Sequence, residues 1–159
     1  LRMSHAGQTL QEANDFLALE PRLVELARQA VQGQSPAVHV LVAAQLAGMQ
    51  EAAQHTPAIH IVYGGWQVLE SAGTAWRLQH QWYVTAAVRS AAQLASGAAA
   101  RQGAGALLAQ VLAAMLGQRL PGAASALDLV GRQPPPQYHA GVMYLGALLQ
   151  VQSVFKKNP

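Results

Sequence analysis

The chain contains no cysteine, which excludes a disulfide framework, thiolate-bound zinc or iron–sulfur centres, and any cysteine nucleophile. Charge is scarce as well: 11% of the residues are Asp, Glu, Lys or Arg, against about 25% in an average soluble domain. With 52% of residues hydrophobic, so thin a charge coat leaves a broad, weakly polar surface of the kind that partners cover. No apolar run reaches the ~18–20 residues of a membrane-crossing helix. The nearest, Ala104 to Leu116, is interrupted by Gln110 and stopped by Gly117. The opening stretch LRMSHAGQTLQEAND lacks the apolar core of a signal peptide. These absences predict a soluble protein made and kept in the cytoplasm, with no membrane partner.

Catalytic constellations are missing in the same way. Glu12, Asp15, Glu20 and Glu25 decorate the first helical region, while Glu51, Glu70 and Asp128 stand alone, so no two carboxylates are spaced to share a cleft and split their pKa values. There is no Gly-x-Ser-x-Gly elbow and no phosphate-binding Gly-x-x-x-x-Gly-Lys, and Gly103-Ala104-Gly105 lacks the strand-to-helix setting of a dinucleotide site. Of the histidines, His39, His60 and His80 fall in predicted strands and His55 and His139 in predicted loops, with no acid at ligand spacing and no helical His-x-x-x-His pair. His80 sits on an apolar strand face, where a backbone or water partner is expected. No catalytic, cofactor-binding or metal residue is therefore assigned, and the chain is not expected to be an enzyme. The net charge of +3 comes from ten basic residues over seven acids, and only Lys156-Lys157 are adjacent. Cations scattered singly favour solubility over sequence-specific nucleic-acid binding, which clusters them on one face.

What is present is pattern. At 159 residues the chain suits one domain that buries roughly two-thirds of its unfolded surface. Leu19, Leu23, Leu26, Ala27, Ala30 and Val31 recur at helical spacing behind Pro21, a residue suited to a first turn; Thr9 to Phe16 is read as a turn or short helix before it. Val38 to Ala43 alternates as a strand, and Gly48 to Thr56 is a polar connection with room for a helical turn. Ala58 to Tyr63 reads as a strand, Gly64-Gly65 as a tight turn, Trp66 to Glu70 as a further strand and Ser71 to Thr74 as the next turn. From Trp76 to Val88 the period is two for thirteen residues, roughly 40 Å at ~3.3 Å per residue. One face carries Trp76, Leu78, His80, Trp82 and Val84, and the other Arg77, Gln79, Gln81, Tyr83 and Arg89. Gly103 to Leu120 is a second helix whose stripe of Leu107, Leu108, Val111, Leu112 and Met115 is expected to pack on Trp76, Leu78, Trp82 and Val84. Leu127 to Val130 reads as a short strand, Gly131 to Gly141 as a proline-stiffened loop, and Val142 to Phe155 as a second long strand. The fold class that follows is α+β: a two-layer sandwich of an antiparallel or mixed sheet with two main helices packed on one face. A single domain over 1–159 is expected, with 1–18 as an N-terminal extension and 156–159 as a basic tail.

In order and type these parts resemble the tail terminator family of long-tailed bacteriophages, including the lambda-type proteins and especially the versions of Mu-like prophages. The resemblance rests on PRLVELARQAV, TPAIHIVYGGW, WRLQHQWYVTAAVR, the alanine–leucine helix near 110, and the proline loop entering YHAGVMYLGALLQVQSVF. It spans roughly residues 19 to 155 and offers no ligand or catalytic residue to transfer. It implies a homohexameric virion protein, without cofactor, that caps the tail tube, ends its polymerisation and joins the tail to the neck. Tube protein and head-completion proteins would be its partners. DNA would pass through the lumen without sequence-specific binding. Such a ring would be assembled in the host cytoplasm and end at the neck-proximal end of the tail. On that reading the acid-free face Arg77, Gln79, Gln81, Tyr83 and Arg89 meets a neighbouring subunit or the tube, since Tyr and Arg are enriched at interfaces. Trp66 is a contact hot spot, and Gly64, Gly65, the Ser71 to Thr74 turn and the loop bearing Tyr138 lie at ring edges. Other neck or tube ring subunits, a small α+β enzyme or ligand-binding protein, and a basic nucleic-acid-binding module remain open alternatives on the sequence alone.

Overall fold

A computed structural model describes residues 14–49, 55–89 and 98–157, with side chains in the last stretch from residue 103 onward. Helix α1 (Glu20–Val31) starts with Glu20 and Pro21 in its first turn, carries Arg28 in its last, and buries Leu23, Val24, Ala27 and Val31. Acid at the start and base at the end both suit the helix dipole. Strand β1 (His39–Val42) follows. A five-residue helix α2 (Ala43–Ala47) then forms earlier than the sequence pattern suggested. It is closed by the Gln45 side chain, which accepts from Val42 N at 2.9 Å. Of the connection read at 48–56, residues 50–54 lie outside the described residues, as do residues 1–13 and 158–159 of the two expected tails.

Three strands of fifteen residues dominate the sheet: β2 (Ala58–Ala72), β3 (Ala75–Arg89) and β6 (Val142–Lys156). β3 lies between the other two, antiparallel to both, and β1 runs parallel to the start of β2. The two short strands β4 (Asp128–Leu129) and β5 (Gln137–His139) both pair with the far edge of β6. The sheet is mixed, in the order β1-β2-β3-β6-β4.

Gly64-Gly65 is not a turn. β2 runs straight through it, with the register against β3 shifting between Tyr63 and Gly65. Gly65 has φ of 109°, a backbone that glycine takes without strain and that serves a bulge as well as a turn. Because both sides of the bulge pair in line with the same strand, the chain does not reverse until Gly73-Thr74, where Ala72 and Ala75 are already partners. His139, expected in a loop, lies in β5, which the three prolines before it had concealed.

The main core lies between one sheet face and the helices α1 and α3 (Ala98–Met115), joining Leu23, Ile59, Ile61, Trp82, Val84, Val111, Met115 and Leu149. α3 ends at Met115 instead of Leu120; two residues on, Gly117 has the positive φ, 82°, common just past a helix end, and its N–H donates to Leu127 O at 2.9 Å, tying the helix end to the segment before β4. Leu107, Leu108, Val111 and Met115 are buried as the stripe predicts, while Leu112 is only partly covered. Trp82 and Val84 are their counterparts in the sheet; Trp76 and Leu78 lie outside this core, further along the ribbon than the helix layer extends. On the reverse face a small cluster of Leu41, Ala58, Ala87 and Val142 is covered by Leu46, Met49 and Tyr144.

The two sheet edges are treated differently. Along β6, the Gln133 side chain donates to Leu148 O at 3.1 Å and accepts from Leu148 N at 2.7 Å. Asn14 brackets Lys156 in the same way, at 2.9 and 3.1 Å, and Ser125 Oγ accepts from Gln152 N at 2.8 Å. Side chains thus occupy backbone groups that would otherwise recruit another strand. Along β2, β1 covers only Ala58 to Ile61. Beyond it the outer edge has no strand partner among the described residues, and its regularity is broken by the bulge at Gly64 and a second shift between Val68 and Glu70.

Candidate functional site

The distal half of the β2–β3–β6 ribbon extends past the main helix-covered core and offers two unlike faces. On the reverse face, period-two alternation places Gln67, Gln79 and Gln152 in one cross-strand row and Glu70, Arg77 and Val154 in the next. Gln67 donates to Gln79 at 2.9 Å, Gln79 donates diagonally to Gln150, and Arg77 donates to Gln152 at 3.2 Å and lies 3.6 Å from Glu70. An amide carries both donors and an acceptor, so successive glutamines complete one another across the strands. Arg77 and Gln79 are thereby engaged inside the ribbon. Gln81 and Tyr83 make no side-chain hydrogen bond among the described residues, and Tyr83 is 38% exposed with its ring lying over Gly64. Arg89, at the far end of β3, donates to Ala140 O at 2.9 Å. Tyr138 is exposed on β5.

The helix-side face of the same half holds a groove of about 310 Å³ lined by Phe16, Trp66, Val68, Trp76, Leu78 and Phe155. Trp66 and Val68 are each 52% exposed. Phe16 reaches the groove from the segment before α1 and meets Trp66 edge-on, with ring centroids 5.0 Å apart. The sequence marked Trp66 but missed the groove, because its walls come from four separate segments brought together by register. Trp76 against Phe155 is the one pair that strand alternation could have hinted at.

Between covered and projecting halves lies a buried polar chain. Tyr63 Oη is 2.6 Å from His80 Nδ1, and His80 Nε2 is 2.8 Å from Ser153 Oγ. The partners of His80 are thus two hydroxyls, not the backbone or water expected. Burial lowers the His80 pKa below its ordinary value and pushes the Tyr63 phenol up to about 12. His60 is also held low by burial, on the reverse face, and its Nε2 has no partner. The indole Nε1 of Trp82 is likewise buried and unpaired. His39 and His55 stand with ring centroids 4.9 Å apart, and no group of three or more metal-ligating side chains occurs among the described residues. Among those residues no helix is long and apolar enough to cross a membrane.

A projecting ribbon with an amide-laddered face, an apolar groove and exposed Trp and Tyr is suited to protein contact, where aromatic anchors carry most of the energy. A family model described as Phage tail terminator protein matches residues 13–159, nearly the whole chain. No curated protein matches the chain at a significant level.

Proposed function

Since the chain belongs to the phage tail terminator family, it is a structural component of a phage tail, and on that premise we propose that six copies close into a ring on the last ring of the tail tube. The ring stops tube polymerisation and presents its other side to the neck and head-completion proteins. DNA passes through the lumen, contacted without regard to sequence. The ring occupies the neck-proximal end of the tail in the virion and is assembled in the host cytoplasm.

The observation that carries this reading is the ribbon half extending beyond the helices, with Trp66, Val68 and Tyr83 exposed. A ring needs two different patches that meet around a closed rotation, and the two unlike faces of the ribbon are well suited to supply them. Gln81 and Tyr83, which make no side-chain hydrogen bond among the described residues, are the first candidates for cross-subunit bonds. Arg77 and Gln79 link the strands of that face through the glutamine ladder. Gly64 and Gly65 shape the bulge under Tyr83. Trp66 is the apolar anchor, while Arg89 and Tyr138 flank the opposite end of the ribbon, near β5.

The test is to add the purified chain to tube protein polymerising in vitro. Tubes that stop growing and carry a ring at one end support the proposal. Tubes that lengthen at an unchanged rate, with the chain left in solution, would sink it.

A further inference from the structure

Among the described residues, the segment before α1 is held to the end of the ribbon by few hydrogen bonds. Asn14 brackets the backbone of Lys156, Asp15 Oδ1 accepts from Leu17 N at 3.0 Å, and Ala18 N donates to Asp15 O at 3.1 Å. Phe16 is laid edge-on against Trp66, His80 and Phe155, at centroid distances of 5.0, 5.4 and 6.0 Å. We propose that residues 14–18 form a clasp that opens when His80 takes up a proton, uncovering the whole apolar groove of the ribbon.

The His80 ring is 3% exposed and has both nitrogens engaged, one by Tyr63 and one by Ser153. In neutral imidazole one ring nitrogen accepts and the other donates, so the chain Tyr63–His80–Ser153 is complete as it stands. An imidazolium donates from both nitrogens. Both hydroxyls must then accept, and the one that had donated to the ring must aim its proton elsewhere. The groups facing the ring are Tyr63 from β2, Ser153 from β6 and Phe16 from the clasp, none of them a counter-charge. The charge on the clasp, Asp15, is exposed and engaged with Leu17 N. Glu70 and Arg77 pair with each other on the opposite face, and Lys156 is exposed at the strand end.

A charge so placed needs water. An unbroken ladder to β6 and a ladder to β2 interrupted only at its two register shifts close the flanks of β3, whereas among the described residues the clasp is held by a few exposed hydrogen bonds. Opening the clasp is therefore the low-energy route for hydration, a local event well below the cost of unfolding the sheet. Phe16 leaves with the clasp, and Trp66, Trp76, Leu78 and Phe155 remain as a bare apolar trough. The depressed pKa of His80 agrees with a ring that stays neutral while the clasp is shut. The device belongs to the single chain and does not depend on ring formation.

The experiment is a proton NMR titration of the full chain from about pH 8 to about pH 5, a range spanning the ordinary histidine pKa. The expected result is loss of Phe16–Trp66 proximity with the same midpoint as His80 protonation, while the β3–β6 amide signals persist. His80→Gln, which can still bridge the two hydroxyls but does not titrate, should keep Phe16 on Trp66 throughout. Asn14→Ala, which weakens the clasp without touching the ring, should move the His80 midpoint upward. A Phe16–Trp66 contact that survives His80 protonation would overturn the proposal. So would clasp release at the same pH in His80→Gln, an unmoved midpoint in Asn14→Ala, or collapse of the β3–β6 signals together with the clasp.

Discussion

Replacing Trp82 by phenylalanine sets two effects against each other at the centre of the molecule. Trp82 is fully buried, packs edge-on against Tyr63 at 4.9 Å, and keeps its indole N–H without a partner. Phenylalanine keeps an aromatic ring for Tyr63 and gives up part of the indole, costing about 2–3 kcal/mol in lost burial and residual cavity. It also removes the unsatisfied N–H, whose burial costs about 1–3 kcal/mol. The two largely offset each other, so Trp82→Phe should lose no more than about 2 kcal/mol, whereas Trp82→Ala should lose about 3–5 kcal/mol. Urea unfolding followed by far-ultraviolet circular dichroism, at one protein concentration so that any association is held constant, measures both. A Trp82→Phe loss approaching that of Trp82→Ala would refute the reasoning, since the indole N–H would then have to be bonded in the folded protein.

Burial depresses the pKa of His60 below its unfolded value of 6.5, so stability should be level above about pH 6.5 and fall below it, by at most about 1.4 kcal/mol per pH unit for that proton. His60→Leu should make the decline shallower in a series of urea titrations, leaving the part contributed by His80, which burial also holds low. Gly65, at φ 109°, should not accept a side chain: Gly65→Ala is expected to cost about 1–3 kcal/mol by thermal or urea unfolding, while Gly64→Ala should mainly displace the exposed Tyr83 ring, which a Cβ there would approach to 2.9 Å. Met115→Ala, at a fully buried position in the interface of α3 with the sheet, should cost about 2–5 kcal/mol in the same assay.

Much of the framework could be read from the sequence, because β3, β6, α1 and the buried stripe of α3 obey simple periods that burial enforces. The errors have physical causes. Gly64-Gly65 was ambiguous because positive φ serves a turn and a bulge alike, and only pairing with β3 on both sides tells them apart. AAQLA consists of good helix formers, but five residues directly after an alternating run are too few to show a helical period; Gln45 reaching back to Val42 starts α2 there. Trp76 and Leu78 share a strand face with Trp82, but alternation does not say how far the helices reach along it. The distal groove and the Tyr63–His80–Ser153 chain were hidden for a related reason: each needs the register between strands far apart in sequence, and the groove also needs Phe16 delivered from before α1.

The ring is the central claim, and the native mass of the purified chain tests it most directly, by light scattering with and without the paired substitutions Gln81→Glu and Tyr83→Glu. The account predicts an assembly near six times the 16.8 kDa of one chain, and a folded but dissociated doubly substituted protein. A wild-type chain that stays at 16.8 kDa across concentrations and in the presence of tube protein would contradict it, and a hexamer unaffected by both glutamates would remove this face of the ribbon from the interface.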